Sequence, residues 1–481
     1  MQLGLDLGTA SLKALAWSGG REWVASAPYP VASPEPLWAE TEPEQWLAAL
    51  AAALGRLAAA GAPLGACASI GLSGQMHGIV PVSRRHGALG PAILWADRRA
   101  ADLLPRFTAL PEGIRAALRN PPATGMAALS MLWLKENRPD LYARTEVFLF
   151  PKDYLRWRLT GEIATERTDA SGSLLFDCAR AAWQGELLER LGLDPGKLPP
   201  IRPSAEVGGR VTPQAAALTG LPAGTPVARG AADTAAALYG SGLADSGCVQ
   251  ISAGSGLQVA RLAQTLPAPS PCLNLYAAAQ PGAWYRLAAM LNGGVALEWV
   301  RGILGLEWAE AYAALEAAPE PPLDLLFLPY LAGERTPYLD PGARGAWIGL
   351  ALHHGRLDLL RAALMGVAMS LRLGLETLGD AGAERWNFVG GSARHPYWTR
   401  LLASVLERPL SVSGSPDLSA RGAALLGARA AGLAPEPGPG EAETLVEPGR
   451  IQGLEDYYSG FKAAYRKLAD PPAAAHQGGQ P

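Results

Sequence analysis

One pattern occurs twice in this chain and constrains its fold more than any other feature. In LGLDLGTASLKALAW, residues 3–17, leucines alternate with small or acidic residues as far as Gly8. This period of two predicts a strand that turns tightly at Gly8 and Thr9 into a second strand. Residues 248–262, CVQISAGSGLQVARL, repeat the strand, the glycine-containing turn and the returning strand. We therefore expect two similar α/β domains that face one another across a cleft.

The elements predicted between the hairpins favour a parallel or mixed sheet, because strands and helices alternate there. They are a helix over 42–60, a strand over 67–74, and helices over 124–136 and 151–160, the last of which ends at Gly161. A chain of 481 residues is too long for one ordinary core. The predicted domains are residues 1–237, residues 238–434, and a C-terminal stretch, 435–481, with a loop, a helix and a tail expected to be disordered.

Composition and charge exclude several classes of partner. The formal net charge is -3, and no run of lysine and arginine occurs. We therefore expect no nucleic-acid partner and no membrane association. The N-terminus, MQLGLDLGTA, lacks the basic and apolar regions of a secretory signal, and the predicted location is cytoplasmic. The cysteines show no CxxC spacing, so reduced thiols are expected rather than a zinc site or disulfides.

The tips of the two hairpins carry groups that suit a phosphate. Backbone N–H groups and hydroxyls at such a tip form an anion-binding concavity. Asp6, before the first turn, could hold Mg2+ through water, and Lys13 on the returning strand could reach phosphate oxygens. The alternative is a turn with one polar side and no ligand. No Walker A motif is present, and no GxGxxG follows a strand, which argues against a dinucleotide site.

A third glycine-rich turn, NFVGGSARHPYW, spans residues 387–398 between a predicted strand and a predicted helix. Gly390 and Gly391 in this turn permit the close approach of a flat ring or a ribose. Close packing of the helix on the strand would need the same two glycines. Both interpretations stay open.

A carboxylate at the start of an alanine-rich helix is the candidate base. Asp233 follows the apolar strand of PVARGAADTAAALYGSG, at a place where Asp is a favoured N-cap. Small residues on both sides would leave the carboxylate open to a cleft. Phosphoryl transfer to a sugar hydroxyl needs only a weak base, and the helix dipole is expected to keep Asp233 ionised. Capping and catalysis are compatible roles.

The segment GLSGQMHGIV, residues 71–80, places Met76 and His77 between two glycines after an apolar run. Read in isolation, His77 is either an ordinary loop residue or a residue at which the chain approaches a ligand. Gly74 and Gly78 would let the backbone and the imidazole come close to a small molecule.

These features together resemble the FGGY family of carbohydrate kinases, and within it the branch that phosphorylates xylulose. The resemblance extends from residue 3 to about residue 430 and rests on SGQMHG (73–78), FPKDYLRWRLTGEIATERTDASGSLLFD (150–177) and LPYLAGERTPYLDPGARGAWIGL (328–350). It implies an α/β fold with two actin-like, ribonuclease-H-like ATPase domains and ATP in the central cleft. It also implies a small-molecule sugar substrate and Mg2+, with a homodimer as one option for assembly.

The resemblance assigns roles to the matching positions. Asp233 matches the catalytic base, and Asp6 matches the acidic residue associated with the metal ion and the phosphates, so both are expected catalytic residues and metal ligands. The residues expected to contact the sugar are Met76, His77, Trp95, Asp97, Asp233 and Thr234. The residues expected to contact ATP are Gly8, Thr9, Ser11, Lys13, Gly254, Ser255, Gly256, Gly294, Gly390, Gly391 and His395.

Departures from the family pattern bear on the substrate. Thr234 stands where an asparagine is expected to touch the sugar, and Ala96 stands where an asparagine is usual. The second hairpin reads SAGSGLQ rather than SLGTSGV. A site that hydrogen-bonds its substrate discriminates strongly, so one altered partner can change specificity. The expected reaction is ATP-dependent phosphorylation of D-xylulose at O5; the alternatives are another pentulose or polyol as substrate, or a sugar sensor of the same fold without turnover.

Overall fold

The computed structural model describes residues 1–242, 247–317, 323–379, 383–412, 417–434 and 444–469. The chain divides into two compact units, and neither is continuous in sequence. The first unit consists of Met1–Ser246, Leu262–Arg286 and Asp417–Gly440. The second consists of Gly247–Arg261, Leu287–Pro416 and Glu441–Pro481.

The units differ from the predicted domains, 1–237 and 238–434, because two later segments join the first unit. Leu275 and Ala277 of one segment lie in a buried apolar cluster with Ala170 and Phe176. The other segment carries a helix that packs on the strands of the first hairpin. The helix expected in the C-terminal stretch is Leu454–Ala469, whereas the expected loop (435–441) and tail (470–481) lie outside the described residues.

Both units are built from short strands that alternate with helices. The strands, in chain order, are β1 (Gln2–Leu7), β2 (Ser11–Ser18), β3 (Arg21–Pro28), β4 (Glu40–Thr41), β5 (Ser69–Gly74), β6 (Val80–Ser83), β7 (Gly87–Ala88), β8 (Ala92–Ile93), β9 (Val147–Leu149), β10 (Thr165–Glu166), β11 (Phe176–Asp177), β12 (Ala182–Trp183), β13 (Ile201–Arg202), β14 (Val207–Arg210), β15 (Pro226–Ala228), β16 (Ala231–Ala232), β17 (Cys248–Ala253), β18 (Leu257–Ala263), β19 (Asn274–Ala277), β20 (Trp284–Met290), β21 (Leu326–Leu328), β22 (Ala346–Ile348), β23 (Arg385–Val389), β24 (Leu410–Val412) and β25 (Thr444–Val446). The helices are α1 (Pro43–Ala59), α2 (Leu104–Thr108), α3 (Glu112–Leu118), α4 (Ala127–Asn137), α5 (Pro139–Arg144), α6 (Pro151–Thr160), α7 (Arg167–Ser171), α8 (Gly185–Leu191), α9 (Pro213–Thr219), α10 (Asp233–Gly240), α11 (Gly294–Leu304), α12 (Trp308–Ala317), α13 (Arg356–Leu378), α14 (Pro396–Leu406), α15 (Leu418–Ala430) and α16 (Leu454–Ala469).

The first unit is built on a mixed sheet that begins with the predicted hairpin. Strand β1 runs antiparallel to β2 and parallel to β5, and the sheet order is β14-β15-β5-β1-β2-β3, with β16 also pairing with β5. The helices predicted over 42–60, 124–136 and 151–160 are α1, α4 and α6. Gly161 has a positive φ of 78° and ends α6 as predicted.

The period of two in β1 assigns its residues to opposite faces of the sheet. Leu3, Leu5 and Leu7 belong to the apolar core that also contains residues of α1. Gly4, on the other face, lies against α15, where an added Cβ atom would be 1.9 Å from the carbonyl oxygen of Ala420. Asp6 is two residues further along on that face, so the surface that receives α15 also carries the candidate catalytic carboxylate.

The second unit repeats the hairpin and its parallel neighbour. Strand β17 pairs antiparallel with β18 and parallel with β23, as β1 does with β2 and β5. Strand β24 continues parallel to β23, and β25 pairs antiparallel with β24. The third glycine-rich turn follows β23 and leads into α14, as predicted.

Two further findings concern the cysteines and the helices. Cys67, Cys178, Cys248 and Cys272 are not joined in disulfides. No helix in the described part of the chain combines the length and the apolar character that a membrane span requires.

Gly71→Ala is expected to lower the free energy of unfolding by about 3 kcal/mol or more. A Cβ atom at Gly71 of β5 would lie 1.7 Å from the carbonyl oxygen of Ala423, so α15 would have to move off the sheet. Gly55→Ala is the matched control, because Gly55 is exposed within α1 with nothing near its Cβ position. Alanine there should stabilise by about 1 kcal/mol. Urea denaturation measures both variants, and an unchanged stability of Gly71→Ala would contradict the close packing of α15.

Candidate active site

Strand register brings the first candidate carboxylate beside a buried hydroxyl. In the parallel pairing of β1 with β5, Asp6 lies opposite Ser73. The Ser73 hydroxyl donates to Asp6 Oδ1 at 2.6 Å. Burial raises the pKa of Asp6, and the Ser73 hydrogen bond and the charge of Lys13 offset this only in part. Asp6 therefore occupies a place where a positive charge would be strongly favoured.

The same edge of the sheet positions Asp233. Strand β16 pairs parallel with Ser73 and Gly74 of β5, and Asp233 is the first residue of α10 directly after β16. Its Oδ1 accepts hydrogen bonds from the Thr234 backbone N–H at 2.6 Å and from the Thr234 hydroxyl at 3.2 Å. The residue as a whole is half-buried. A group held in this way can face a small ligand.

Two expectations for Asp233 are corrected by this geometry. Ala232 occupies the N-cap position, and the Asp233 side chain binds the adjacent Thr234 rather than capping α10. The helix dipole was expected to keep Asp233 ionised, yet burial and the nearby charge of Asp6 raise its pKa to about 7. Desolvation and like-charge repulsion outweigh the dipole here, because the dipole contributes about 1 kcal/mol or less at an ordinary helix end.

The donor set fits a divalent cation. Asp6 and Asp233 are hard oxygen donors, and each has a pKa above its usual value. The ammonium of Lys13, which lies opposite Asp6 in the β1–β2 register, forms an ion pair with Asp417. The two carboxylates would therefore gain from a metal ion between or beside them, and Mg2+ suits such donors.

The first hairpin tip is held by side chains from later segments. Gly8 N–H donates to the Ser11 carbonyl at 3.0 Å, which closes the turn. The Tyr29 hydroxyl donates to the Gly8 carbonyl. The Trp95 indole N–H donates to the Thr9 hydroxyl oxygen at 2.9 Å, although Trp95 is 41% exposed. Trp95, expected on the sugar side, thus contacts the turn that was expected to bind phosphate.

His77 has a fixed and strained conformation. Its φ is 73°, in the left-handed region that a non-glycine residue seldom adopts. Its Nδ1 lies 2.7 Å from the Gly172 carbonyl oxygen. Because a carbonyl can only accept, Nδ1 carries the hydrogen, and this bond holds the ring in one orientation. His77 is therefore fixed by its backbone conformation and by this bond, which an ordinary loop histidine is not.

Residues that sequence reasoning missed surround His77. The Tyr276 ring lies 6.0 Å from the His77 ring, and the Tyr285 hydroxyl is 4.0 Å from Met76 Sδ. A Cβ atom at Gly172 would lie 3.1 Å from the His77 ring. The tyrosines belong to a segment distant in sequence that joins the first unit, and no local pattern marks them.

The carboxylate of Asp97, which was expected to contact the sugar, is fully hydrogen-bonded to other groups of the protein. Its carboxylate accepts from the Ala39 N–H and from three donors of Arg99, at distances between 2.7 and 2.9 Å. Arg99 also pairs with Glu40 and lies over the Trp38 ring. These four bonds occupy the acceptor sites of the carboxylate. We interpret Asp97 as a support of its loop rather than as a sugar ligand.

A cavity of about 520 Å³ lies in the second unit, at the tip of its hairpin and the glycine-rich turn. Gly254, Ser255 and Gly294 line it on the hairpin side, and Gly391 and His395 line it on the other. Five of the seven expected ATP residues of this unit are therefore brought together around one cavity, whereas Gly256 and Gly390 are not among its lining residues. Its size is in the range of small-molecule sites.

Aromatic rings line this cavity in an arrangement that the sequence did not predict. The Tyr312 and His395 rings stack at a centroid distance of 4.3 Å and an interplanar angle of 11°. The Trp308 ring also stacks on Tyr312, at a centroid distance of 5.1 Å. The i,i+4 spacing of Trp308 and Tyr312 in α12 is a signal that could have been found.

The structure separates the roles of the glycines at this cavity. Gly390 has a φ of 105°, and a Cβ atom there would lie 2.7 Å from the Ala253 carbonyl oxygen. Gly256 is similarly confined by the Met290 carbonyl oxygen at 2.7 Å. Gly391 has no neighbouring atom within 4 Å of its Cβ position and lines the cavity. Close packing thus explains Gly390, whereas Gly391 leaves space for a ligand.

Asp233→Asn is expected to stabilise the metal-free protein more at pH 8 than at pH 5. The folded pKa is about 7, above the unfolded value of about 3.9, so between these values the folded state holds one more proton. Unfolding is therefore easier as pH rises, and asparagine removes this dependence. Thermal unfolding in EDTA should show the gap between variant and wild-type Tm widening by a few degrees. A gap independent of pH would contradict the raised pKa.

Both the sequence and the fold are similar to known sugar kinases. The FGGY family of carbohydrate kinases matches with its N-terminal domain at residues 1–240 and its C-terminal domain at residues 249–431. The xylulose kinase of Escherichia coli (strain K12) is 33% identical over 480 residues, covering 97% of this chain and 98% of that protein. The xylulose kinase of Klebsiella pneumoniae is 34% identical over 433 residues, covering 89% of each chain.

Solved structures agree with these relatives. A crystal structure of a xyloylose kinase from Brucella ovis has a TM-score of 0.90 at 34% identity, covering 97% of this chain and 99% of that one. Plasmodium falciparum glycerol kinase with ADP has a TM-score of 0.87 at 20% identity, covers 97% of this chain and 98% of that one, and shows the fold alone. The predicted resemblance, the two-domain actin-like ATPase fold and the sugar kinase activity are confirmed. With both domains matched and a third of the residues identical over almost the full length, the chain belongs to the FGGY family of carbohydrate kinases.

Proposed function

We propose that the protein transfers the γ-phosphoryl group of ATP to O5 of D-xylulose, with Asp233 as the general base. The observation that carries the proposal is the setting of Asp233, which directly follows β16 beside Ser73 and Gly74 and whose pKa burial and Asp6 raise to about 7. A base is most effective when its pKa lies near the working pH. Relatives that are 33% and 34% identical to this chain are xylulose kinases, which supports a ketopentose as the substrate.

The two oxygens of the proposed base have different roles: Oδ1 accepts hydrogen bonds from the protein, and Oδ2 is proposed to face the substrate. Asp233 Oδ1 accepts both hydrogen bonds from Thr234. Among the described residues, no hydrogen bond to Oδ2 is present, so Oδ2 is the atom that takes the proton of the attacking hydroxyl. His77, whose ring is fixed by the bond to the Gly172 carbonyl, would contact another sugar hydroxyl and orient the sugar.

Thr234 changes the expected sugar contact. Its hydroxyl is used on Asp233, whereas an asparagine at this position was expected to touch the sugar. One hydrogen bond to the substrate is therefore lost or made through another group. This is the specific reason for considering another pentulose or a polyol as the second candidate.

The base and the ribose of the nucleotide are assigned to the cavity of the second unit. The stacked Tyr312 and His395 rings and the open space at Gly391 suit a flat base and its ribose. At the tip of the hairpin in that unit, Ser255 would donate a hydrogen bond to a phosphate oxygen. Mg2+ held by Asp6 and Asp233 would supply positive charge to the phosphoryl oxygens and to these carboxylates.

Asp233→Asn should reduce kcat for sugar phosphorylation by about 10²-fold or more, because asparagine cannot accept the hydroxyl proton. Sugar affinity should stay within about threefold of wild type, since asparagine keeps the shape and one acceptor. ADP release measured with a coupled assay, and calorimetry with the sugar alone, give the two quantities. Asp177→Asn is the control, a buried acid-to-amide change at a surface turn where Asp177 accepts from Ala179 and Arg180 N–H. Turnover retained by Asp233→Asn would exclude Asp233 as the base.

A panel of sugars tests the substrate. D-xylulose should give a higher kcat/KM than D-ribulose, L-ribulose, L-xylulose or glycerol, with the product phosphorylated at O5. The assay couples ADP formation to NADH oxidation, and NMR of the product locates the phosphate. A tenfold preference, as an order of magnitude, for another sugar would replace D-xylulose by that sugar. Binding of sugar and nucleotide without any sugar phosphate would contradict the proposed turnover.

A further inference from the structure

A lysine with no exposed surface lies beneath the sugar side of the first unit. Lys152, in the first turn of α6, is completely buried. Its Nζ lies 2.9 Å from Asp153 Oδ1, 3.2 Å from Glu166 Oε1 and 3.0 Å from Asp169 Oδ2. A buried ammonium is retained only when such partners surround it. The partners, two of which flank the start of α7, are therefore fixed in place by Lys152.

Glu166 transmits this constraint to the five-residue helix α7. Its carboxylate accepts from the Thr168 N–H at 2.6 Å, the Asp169 N–H at 3.1 Å and the Thr168 hydroxyl at 2.7 Å. It also accepts from the Ser204 hydroxyl at 2.8 Å. A helix this short has no stability of its own. Its position is set by the capping carboxylate of Glu166, which Lys152 holds.

Hydrogen bonds connect α7 and the residue after it to the neighbour of Asp233 and to His77. The Thr168 hydroxyl oxygen accepts from the Ala232 N–H at 2.7 Å, and Ala232 immediately precedes Asp233. The Gly172 carbonyl, directly after α7, accepts from His77 Nδ1–H at 2.7 Å. In each of these two bonds, only one partner can be the donor. The Thr168 hydroxyl has one hydrogen, which it gives to Glu166, so its oxygen can only accept from Ala232.

We infer that Thr168 is a positioning residue for the base. Its hydroxyl joins the Glu166 carboxylate, which Lys152 holds in place, to the Ala232 N–H. This link fixes the backbone position of Ala232 and therefore of Asp233. The inference rests on the proposed role of Asp233. The chain of contacts is continuous, and Lys152, Glu166, Thr168 and Ala232 are all buried. Displacement of a reacting group by about 1 Å can lower a rate by about 10²-fold. Loss of the Thr168 hydroxyl can therefore lower kcat measurably, although Thr168 is not proposed to touch the substrate.

The test compares Thr168→Val with Thr168→Ser. Valine keeps the shape of threonine but leaves the Ala232 N–H without its acceptor, and kcat should fall by about tenfold or more. KM for ATP should stay within about twofold, because Thr168 is not expected to touch the nucleotide. Serine keeps the hydroxyl and should restore kcat to within about threefold of wild type. If Thr168→Val does not fold, Thr168→Ala, which adds no bulk, takes its place.

Ser204→Ala is the matched control. It removes a hydroxyl from the same Glu166 carboxylate but makes no side-chain contact with Ala232, so kcat should change by less than about twofold. Thermal unfolding of all variants identifies any loss that stability alone explains. An equal loss of kcat in Ser204→Ala and Thr168→Val, an unchanged kcat in Thr168→Val, or no rescue by serine would each overturn the inference.

The wild-type enzyme separates this inference from the proposed function. Its turnover with D-xylulose tests the substrate, before any variant is measured. If another sugar is preferred, the same variants are compared on that sugar, and their kcat ratios still test Thr168. If Asp233→Asn proves active while Thr168→Val is impaired, the base assignment fails and Thr168 is not a positioning residue for it.

Discussion

The buried ammonium of Lys152 is the interaction on which the first unit's site depends. Taking this charge out of water is costly, and three carboxylates within hydrogen-bond or ion-pair distance offset the cost. Those carboxylates lie at the start of α6 and at the start of α7. Removing Lys152 would leave these buried carboxylates without the cation that they share, so the segment between these helices has little freedom to move. The positions of His77 and of the backbone before Asp233 follow from that rigidity.

The site itself has the opposite electrostatic character. Asp6 in β1 and Asp233 after β16 lie on two strands that both pair in parallel with β5, and burial raises the pKa of both carboxylates. The Lys13 ammonium, which could have compensated them, pairs with Asp417 at the start of α15. Negative charge is thus concentrated where a cation and the sugar hydroxyl are proposed to bind. A site of this kind is stabilised by its ligands rather than by its own residues.

The hairpins and the helix after them could be predicted, because a period of two and a period of 3.6 are local properties of the sequence. Asp6 and Lys13 lie on the two predicted strands, although alternation assigns faces and does not by itself fix their observed pairing. The packing of residues 417–434 on Gly4 and Gly71 could not be predicted, since no pattern in the sequence near Asp417 indicates a contact with the first hairpin. Both the Lys13 ion pair and the close approach of α15 depend on that packing.

The same limit explains the errors at individual site residues. The N-cap assignment of Asp233 used only its neighbours, whereas its pKa is set by burial and by Asp6, more than two hundred positions earlier. Asp97 was expected to contact the sugar, but its carboxylate already accepts hydrogen bonds from Arg99 and Ala39. Gly390 and Gly391 are indistinguishable in sequence, and only the proximity of the Ala253 carbonyl separates them.

The most direct measurement is a crystal structure of the wild-type protein with D-xylulose bound and no nucleotide, in which turnover cannot occur. We predict that the terminal hydroxyl of the sugar lies about 2.6–3.2 Å from an Asp233 carboxylate oxygen. His77 Nε2 should lie within the same distance of a second sugar hydroxyl. A sugar whose terminal hydroxyl is out of reach of Asp233, with His77 turned away from it, would contradict the assignment of this site.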